Sequence, residues 1–156
     1  MTGAPLEFHQ AKPGDEEILV ALEEALFPLD PWTWGMIADE LASPFSTYYL
    51  AAVPDGPDLQ VVGYGGVKVV GDGADIMTIG VFPHLRGQGL GKQILDLLVS
   101  RAREAGADYV FLEVRESNEA ARRLYERSGF IVLDCLRGYF KNPLEDGIAM
   151  RLELTN

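Results

Sequence analysis

From Asp75 to Val114 the hydrophobic spacing changes character twice, and this stretch constrains the fold more than any other in the chain. Asp75 to Val81 reads as a strand, and Pro83 closes it because proline has no N–H to give a ladder. Gln88 to Ala105 then carries Leu90, Ile94, Leu97, Leu98 and Ala102 at helical spacing, with Gly106 as its stop. Asp108 to Val114 returns to a strand, apolar enough to expect burial on both faces. Strand, helix and strand in this order predict a parallel, right-handed crossover, and so an α/β layer fold.

The flanking sequence supplies the other elements. Pro5 to Gln10 reads as a short strand. Asp15 to Leu26 reads as a helix with Ile18, Leu19, Leu22, Ala25 and Leu26 on one side. Pro28 and Pro31 interrupt it, and a second helix runs from about Thr33 to Leu41. Tyr48 to Val53 is a strand, followed by the Pro54 to Asp58 turn. Gln60 to Val70 forms a hairpin with the strand from Asp75 through Gly71-Asp72-Gly73. Asn118 caps a helix with Ala121, Leu124, Tyr125 and Ser128 inward, and Gly129 ends it. Phe130 to Leu136 and Ile148 to Leu154 are the last strands. The expectation is one domain over residues 1–156, with a mixed, twisted seven-stranded sheet flanked by four helices.

The net charge of −11 argues against nucleic-acid backbones and anionic membranes as partners. It is compatible with a cationic peptide partner, or with solubility alone. Cys135 is the single cysteine, so no internal disulfide forms, which fits a reducing cytosol. No cationic, apolar leader opens the chain, and no apolar run approaches the ~20 residues that span a bilayer. A cytoplasmic protein, monomeric or weakly dimeric, is expected.

Arg86-Gly87-Gln88-Gly89-Leu90-Gly91-Lys92 lies between the strand and the long helix. Glycine lets backbone approach a bulky anion, and a helix start offers unpaired N–H groups with partial positive charge. Together they form a phosphate site, to which Arg86 and Lys92 add cationic contacts. A glycine-rich turn with no ligand is the alternative. Competing nucleotide motifs fail on spacing. A Walker loop needs glycine where Arg86 stands and Ser or Thr where Gln93 stands. A dinucleotide fingerprint needs its last glycine one position later than Gly91.

Glu113 is an acid within the apolar run Tyr109-Val110-Phe111-Leu112-Glu113-Val114. Burial raises a carboxylate's pKa, which is what a general base near neutral pH requires. The alternative is a structural carboxylate paired with Arg115 or Arg122. Tyr125, on the inner helix face, reads equally as a core tyrosine. Cys135, among Ile131, Val132, Leu133 and Leu136 with no histidine nearby, reads as a core or sheet residue rather than a nucleophile. His9 and His84 show no metal-ligand spacing, and no metal is expected.

Arg86-x-x-Gly89-x-Gly91, preceded by Ile79-Gly80-Val81-x-Pro83, resembles the signature of the GCN5-related N-acetyltransferases. The segment from Leu112 to Phe130 narrows the resemblance to the RimI-like ribosomal-protein N-terminal acetyltransferases. Arg137-Gly138-Tyr139-Phe140 and Asp146-x-x-x-Met150 extend it through the tail. The resemblance implies acetyl-CoA as co-substrate, its pyrophosphate on Arg86, Gly87, Gln88, Gly89, Leu90, Gly91 and Lys92. It implies the pantetheine arm along Ile79, Gly80 and Val81, on a strand splayed from its neighbour, with Asn118 also touching that arm. It implies Glu113 as the base, acting through water, and Tyr125 as the proton donor to the departing thiolate. The acceptor groove it implies lies between the first helix pair and the last two strands, where Leu29, Asp30 and Tyr139 fall.

The nucleophile must be a neutral amine. An α-amine of pKa near ~8 is neutral in roughly a tenth of molecules at pH 7, a lysine amine near ~10.4 in about one of a few thousand. One moderate base therefore suits a protein N-terminus, such as that of a small-subunit ribosomal protein. Asp30, Asp39 and Glu40 are candidates to receive a basic peptide, or are simply a solvated helix face. The alternatives are the same chemistry on lysine or a small amine, and a non-catalytic acyl-CoA-binding or partner subunit.

Overall fold

The structure, a computed structural model, describes residues 6–154. Its elements are β1 (Glu7–Ala11), α1 (Glu16–Leu26), α2 (Trp34–Ala42), β2 (Ser46–Asp55), β3 (Asp58–Val70), β4 (Gly73–Val81), α3 (Leu90–Glu104), β5 (Tyr109–Arg115), α4 (Glu119–Arg127), β6 (Ile131–Lys141) and β7 (Leu144–Glu153). The expected seven strands and four helices are present in the expected order. Pro5, the expected start of β1, lies outside the described residues. The strands form one mixed sheet in the order β1-β2-β3-β4-β5-β7-β6, antiparallel except between β4 and β5.

Two cores flank the sheet. On one face Ile94, Leu95, Leu98 and Ala102 of α3 pack on Val62, Val67, Val110, Leu112 and Met150. Each fully buried leucine there contributes about 1.5–3 kcal/mol. The helix lies close because β3 carries glycine beneath it: a Cβ at Gly65 would stand 2.7 Å from Ile94 and 3.0 Å from Leu98. On the other face α1 and α2 bury Leu19, Leu22, Leu26 and Ile37 against Ala11, Tyr48 and Tyr64. That second layer covers β1 to β4 only.

This partial cover corrects the expectation for β5. Val110, Leu112 and Val114 are buried, but Tyr109, Phe111 and Glu113 on the opposite face are only half-buried, because no helix lies over them. The α1 face is corrected too. Ile18 is 44% exposed, whereas Glu23 is 2% exposed and takes the inward position one turn after Leu19. The long helix starts at Leu90 rather than Gln88, since Gly89 at φ 81 is left-handed and ends the preceding loop. The last two strands run further than expected, meeting in a tight hairpin at Asn142-Pro143.

The sheet opens at its centre. β4 and β5 pair only through Gly73↔Tyr109, Ala74↔Val110 and Asp75↔Phe111. Just beyond, the β3–β4 register slips by one residue, leaving Met77 without an opposite partner. An extra residue bends a strand, and β4 leaves β5 here.

Candidate active site

The divergence of β4 and β5 creates a cavity of about 420 Å³. Ile76 to Ile79 form one wall and Leu112 to Arg115 the other, with Asn118 and Tyr125 of α4 beside them. The α1–α2 connection, Phe27 to Asp30, and Phe140 of β6 close the remaining side. The Asn142 side-chain amide donates to the Leu29 carbonyl at 2.8 Å and so ties the β6–β7 hairpin to that connection. Arg115 holds the hairpin from below. Its guanidinium donates to the Pro143 and Asn142 carbonyls at 2.9 and 3.0 Å, pairs with Glu145 at 3.2 Å and lies over the Phe140 ring.

Of the expected site residues, the fold gathers Ile79, Glu113, Tyr125, Asn118, Leu29 and Asp30 around this one cavity. Glu113 lies on the half-covered face of β5. Burial is the main cause that raises its pKa, the nearby Asp75 carboxylate adds to it, and the neighbouring Tyr139 hydroxyl opposes both. Tyr139 does not line the cavity; it stands near Glu113 and is itself raised by burial and by the Glu113 carboxylate. Neither Arg115 nor Arg122 is paired with Glu113. Arg115 is committed to the hairpin, and Arg122 donates to the Glu116 carbonyl at 3.0 Å. Tyr125 is 8% exposed, and burial pushes its hydroxyl up to about 12. Such a phenol stays protonated at neutral pH. The Asn118 Oδ1 accepts from the Ala121 N–H at 3.2 Å, capping α4, which leaves its amide NH₂ for the cavity.

The expected pyrophosphate loop, residues 86–92, does not line this cavity; most of it is exposed. Gly87 and Gly89 have φ of 83 and 81, a region that costs a side-chain-bearing residue ~1–2 kcal/mol. A Cβ at either would meet nothing within 4 Å, so the backbone conformation, not space, calls for glycine. No side chain caps α3 and no acid stands in its first turn. The amides of Gln88 to Lys92 are thus free to face an anion. Arg86 is exposed while its Nε donates to the Val81 carbonyl at 3.3 Å, which occupies one backbone group expected to face the donor. Lys92 pairs with Asp96 at 2.8 Å. Gly80 is buried against α1: a Cβ there would stand 2.8 Å from Leu26.

Several residues fall elsewhere. Glu40 accepts from the Tyr48 hydroxyl at 2.7 Å and pairs with Lys68 at 3.5 Å, away from the cavity. Asp39 is exposed on α2. His9 and His84 are exposed. Cys135 is exposed on β6 rather than in a core, outside the cavity. Its sulfur and the carboxylates of Glu116 and Asp146 lie within 4.8 Å of one another, a grouping that linear spacing does not reveal.

Sequence reasoning missed Glu23. This buried carboxylate borders the cavity, accepts from the Trp32 N–H at 2.7 Å and from the Tyr64 hydroxyl, and so anchors the α1–α2 connection. Its signal was present: an acid at i+4 from Leu19, on the apolar stripe of α1.

The "Acetyltransferase (GNAT) family" model matches residues 16–130. The chain is 32% identical over 129 residues to the [Ribosomal protein bS18]-alanine N-acetyltransferase of Haemophilus influenzae, covering 83% of this chain and 84% of that one. It is 35% identical over 142 residues to N-alpha-acetyltransferase RimI of Mycobacterium tuberculosis, covering 88% and 85%. The crystal structure of the ribosomal-protein-S18-alanine N-acetyltransferase from Escherichia coli superposes with a TM-score of 0.83 at 25% identity, covering 97% and 96%. A sheet split between β4 and β5 and an uncapped, glycine-led α3, together with these matches, place the chain in the acetyltransferase (GNAT) family.

Proposed function

We propose that the protein moves the acetyl group of acetyl-CoA to the N-terminal amine of a protein, by direct attack in a ternary complex. A ribosomal protein is the acceptor class, carried over from the names of the relatives. The observation that carries the reading is Glu113: a half-buried carboxylate of raised pKa on the wall where β4 and β5 part, with Tyr125 bordering the same cavity.

The residues divide the work by position. The free amides of the Gln88 to Lys92 loop and the exposed Arg86 hold the pyrophosphate of acetyl-CoA. The unpaired edge of β4 from Ile76 to Ile79 offers backbone groups to the pantetheine arm, and Asn118 adds its amide. The acceptor enters beneath the Leu29–Asn142 hydrogen bond, with Asp30 and Tyr139 beside its path. Glu113 takes a proton from the ammonium, directly or through one water, and the freed lone pair forms the bond to the thioester carbonyl. The carbon–sulfur bond then breaks, and the Tyr125 hydroxyl protonates the departing sulfur. One acetyltransferase domain over residues 1–156, acting in the cytoplasm as a monomer or weak dimer, suffices for this chemistry. Among the described residues no helix is long and apolar enough to cross a membrane.

Glu113→Gln tests the reading. Turnover on free-N-terminus peptides should fall by about 10²-fold or more, while acetyl-CoA binding, followed by calorimetry, is retained. In the wild type kcat/KM should rise with pH as the raised carboxyl of Glu113 deprotonates, and the variant should lack that limb. Unchanged turnover would make Glu113 structural. Peptides with blocked N-termini provide the second arm, because activity retained on them rejects the α-amine. Mass spectrometry of peptide N-termini after incubation with acetyl-CoA and a ribosomal extract identifies the acceptor.

A further inference from the structure

Asp75 stands where the sheet opens. It makes the last parallel pair with β5, opposite Phe111, and β4 has no partner on that side beyond it. Alternate residues of a strand share a face. Asp75 and Glu113, the latter two residues beyond Phe111, therefore leave the sheet on the same side and diagonal to one another. Val110, Leu112 and Val114 point the other way, into the core beneath α3.

The charged neighbours of this pair are accounted for. Lys68 is the register partner of Asp75 on β3; its ammonium pairs with Glu40 at 3.5 Å, and its charge partly offsets the burial that raises the Asp75 carboxyl. Arg151 of β7 borders the shallow groove beside Asp75, yet it stacks on the Tyr109 ring at 3.9 Å and pairs with Glu153. The Tyr139 hydroxyl of β6 is close enough to Glu113 to lower its carboxyl. Among the described residues neither Asp75 nor Glu113 takes part in a salt bridge. Two neighbouring acids repel each other, and a cation between them relieves that repulsion. The mutual repulsion shows in the raised carboxyl of Glu113, for which the Asp75 charge is the second cause after burial.

We propose that Asp75 is an acceptor-positioning residue: its carboxylate, at the closed end of the wedge and beside the cavity lining, together with that of Glu113 receives the protonated amine of the acceptor. The inference rests on the α-amine reading above. At pH 7 roughly nine-tenths of an α-amine of pKa ~8 is ammonium, so the acceptor arrives as a cation. One N–H bond breaks as the Glu113 O–H forms, while Asp75 keeps its charge and its place. The amide product is neutral and loses its attraction to Asp75, so the same electrostatics that seat the substrate release the product. A blocked N-terminus brings no cation to this seat.

Asp75→Asn removes the charge and keeps the shape at an exposed position. The expected result is a rise of about tenfold in the KM for a free-N-terminus peptide, with kcat and the KM for acetyl-CoA changed by less than about twofold. The acid limb of kcat/KM should move to lower pH, because Glu113 loses a neighbouring charge that raises it. Asp75→Glu should restore most of the peptide affinity, and Asp75→Ser replaces the asparagine variant if that one does not fold. A merely structural role would lower thermal stability and leave the limb in place. An unchanged peptide KM and an unchanged limb in a folded, acetyl-CoA-binding variant overturn the proposal. A wild type with no turnover on any free N-terminus overturns the α-amine reading and this inference with it.

Discussion

Replacing Tyr64 with phenylalanine isolates the hydrogen bond that helps hold the α1–α2 connection over the site. Tyr64 is 1% exposed and Glu23 2% exposed, and the phenol donates to the carboxylate. Phenylalanine keeps the ring and its packing, so no cavity larger than one oxygen forms. A hydrogen bond to a charged acceptor contributes about 1.5–3 kcal/mol, and this one is out of water, so Tyr64→Phe should cost that amount at neutral pH. For a chain of this size each kcal/mol lowers Tm by about 2–4 °C. The effect should depend on pH. Burial raises the Glu23 carboxyl above its ordinary 4.5, the Trp32 N–H opposes this, and Asp30 adds to it. An acid with a raised folded-state pKa contributes stability that is present at low pH and lost as pH rises through that pKa. The Tyr64 hydroxyl supports the charged form and moderates this loss. Its removal should therefore cost most above the folded pKa of Glu23. The deficit should shrink, as pH falls through that pKa, to the ~0.5–1.5 kcal/mol of a neutral hydrogen bond. Urea unfolding followed by tryptophan fluorescence, from about pH 8 down to about pH 4.5, measures both. A deficit below ~0.5 kcal/mol, or one equal at the two ends, refutes the role of Glu23 as a buried charged acceptor.

Two further outcomes follow from the structure. Gly89→Ala places a side chain at φ 81 with nothing within 4 Å to strike. It should cost about 1–2 kcal/mol of backbone strain and weaken acetyl-CoA binding in calorimetry; unchanged stability would mean the loop does not hold that conformation. Cys135→Ser should turn over at the wild-type rate, because Cys135 is exposed on β6 outside the cavity. Wild-type protein incubated with labelled acetyl-CoA and no acceptor should stay unlabelled, and stable label on Cys135 would replace direct transfer with an acyl-enzyme.

Glu113 and Glu23 show how far the linear pattern reaches. An acid between Leu112 and Val114 stands out in an apolar strand, and alternation assigns it to the face opposite those two neighbours. Glu23 obeys an equally simple rule on α1, yet an acid on a surface helix is ordinary, and only packing against Tyr64 makes it a buried group. Burial on both faces was the wrong expectation for β5. Composition cannot tell which faces a helix will cover, and α1 and α2 stop short of it. The reach of β6 and β7 was underread because Asn142-Pro143 marks a turn without saying that the strands pair up to it.

Local rules settled the order of the elements and the place of the glycine loop before α3, though not that a left-handed Gly89 delays the helix to Leu90. Each depends on backbone conformations that neighbouring residues dictate. The cavity is different in kind. It exists because β4 pairs with β5 only as far as Asp75, and because Asn142 reaches Leu29, 113 positions away in sequence. The same register sets Asp75 on the same side of the sheet as Glu113 and diagonal to it. Pairing register and long-range hydrogen bonds follow from how whole layers pack, so tertiary structure alone decided that Glu113, Tyr125, Asn118 and the α1–α2 connection share one cavity.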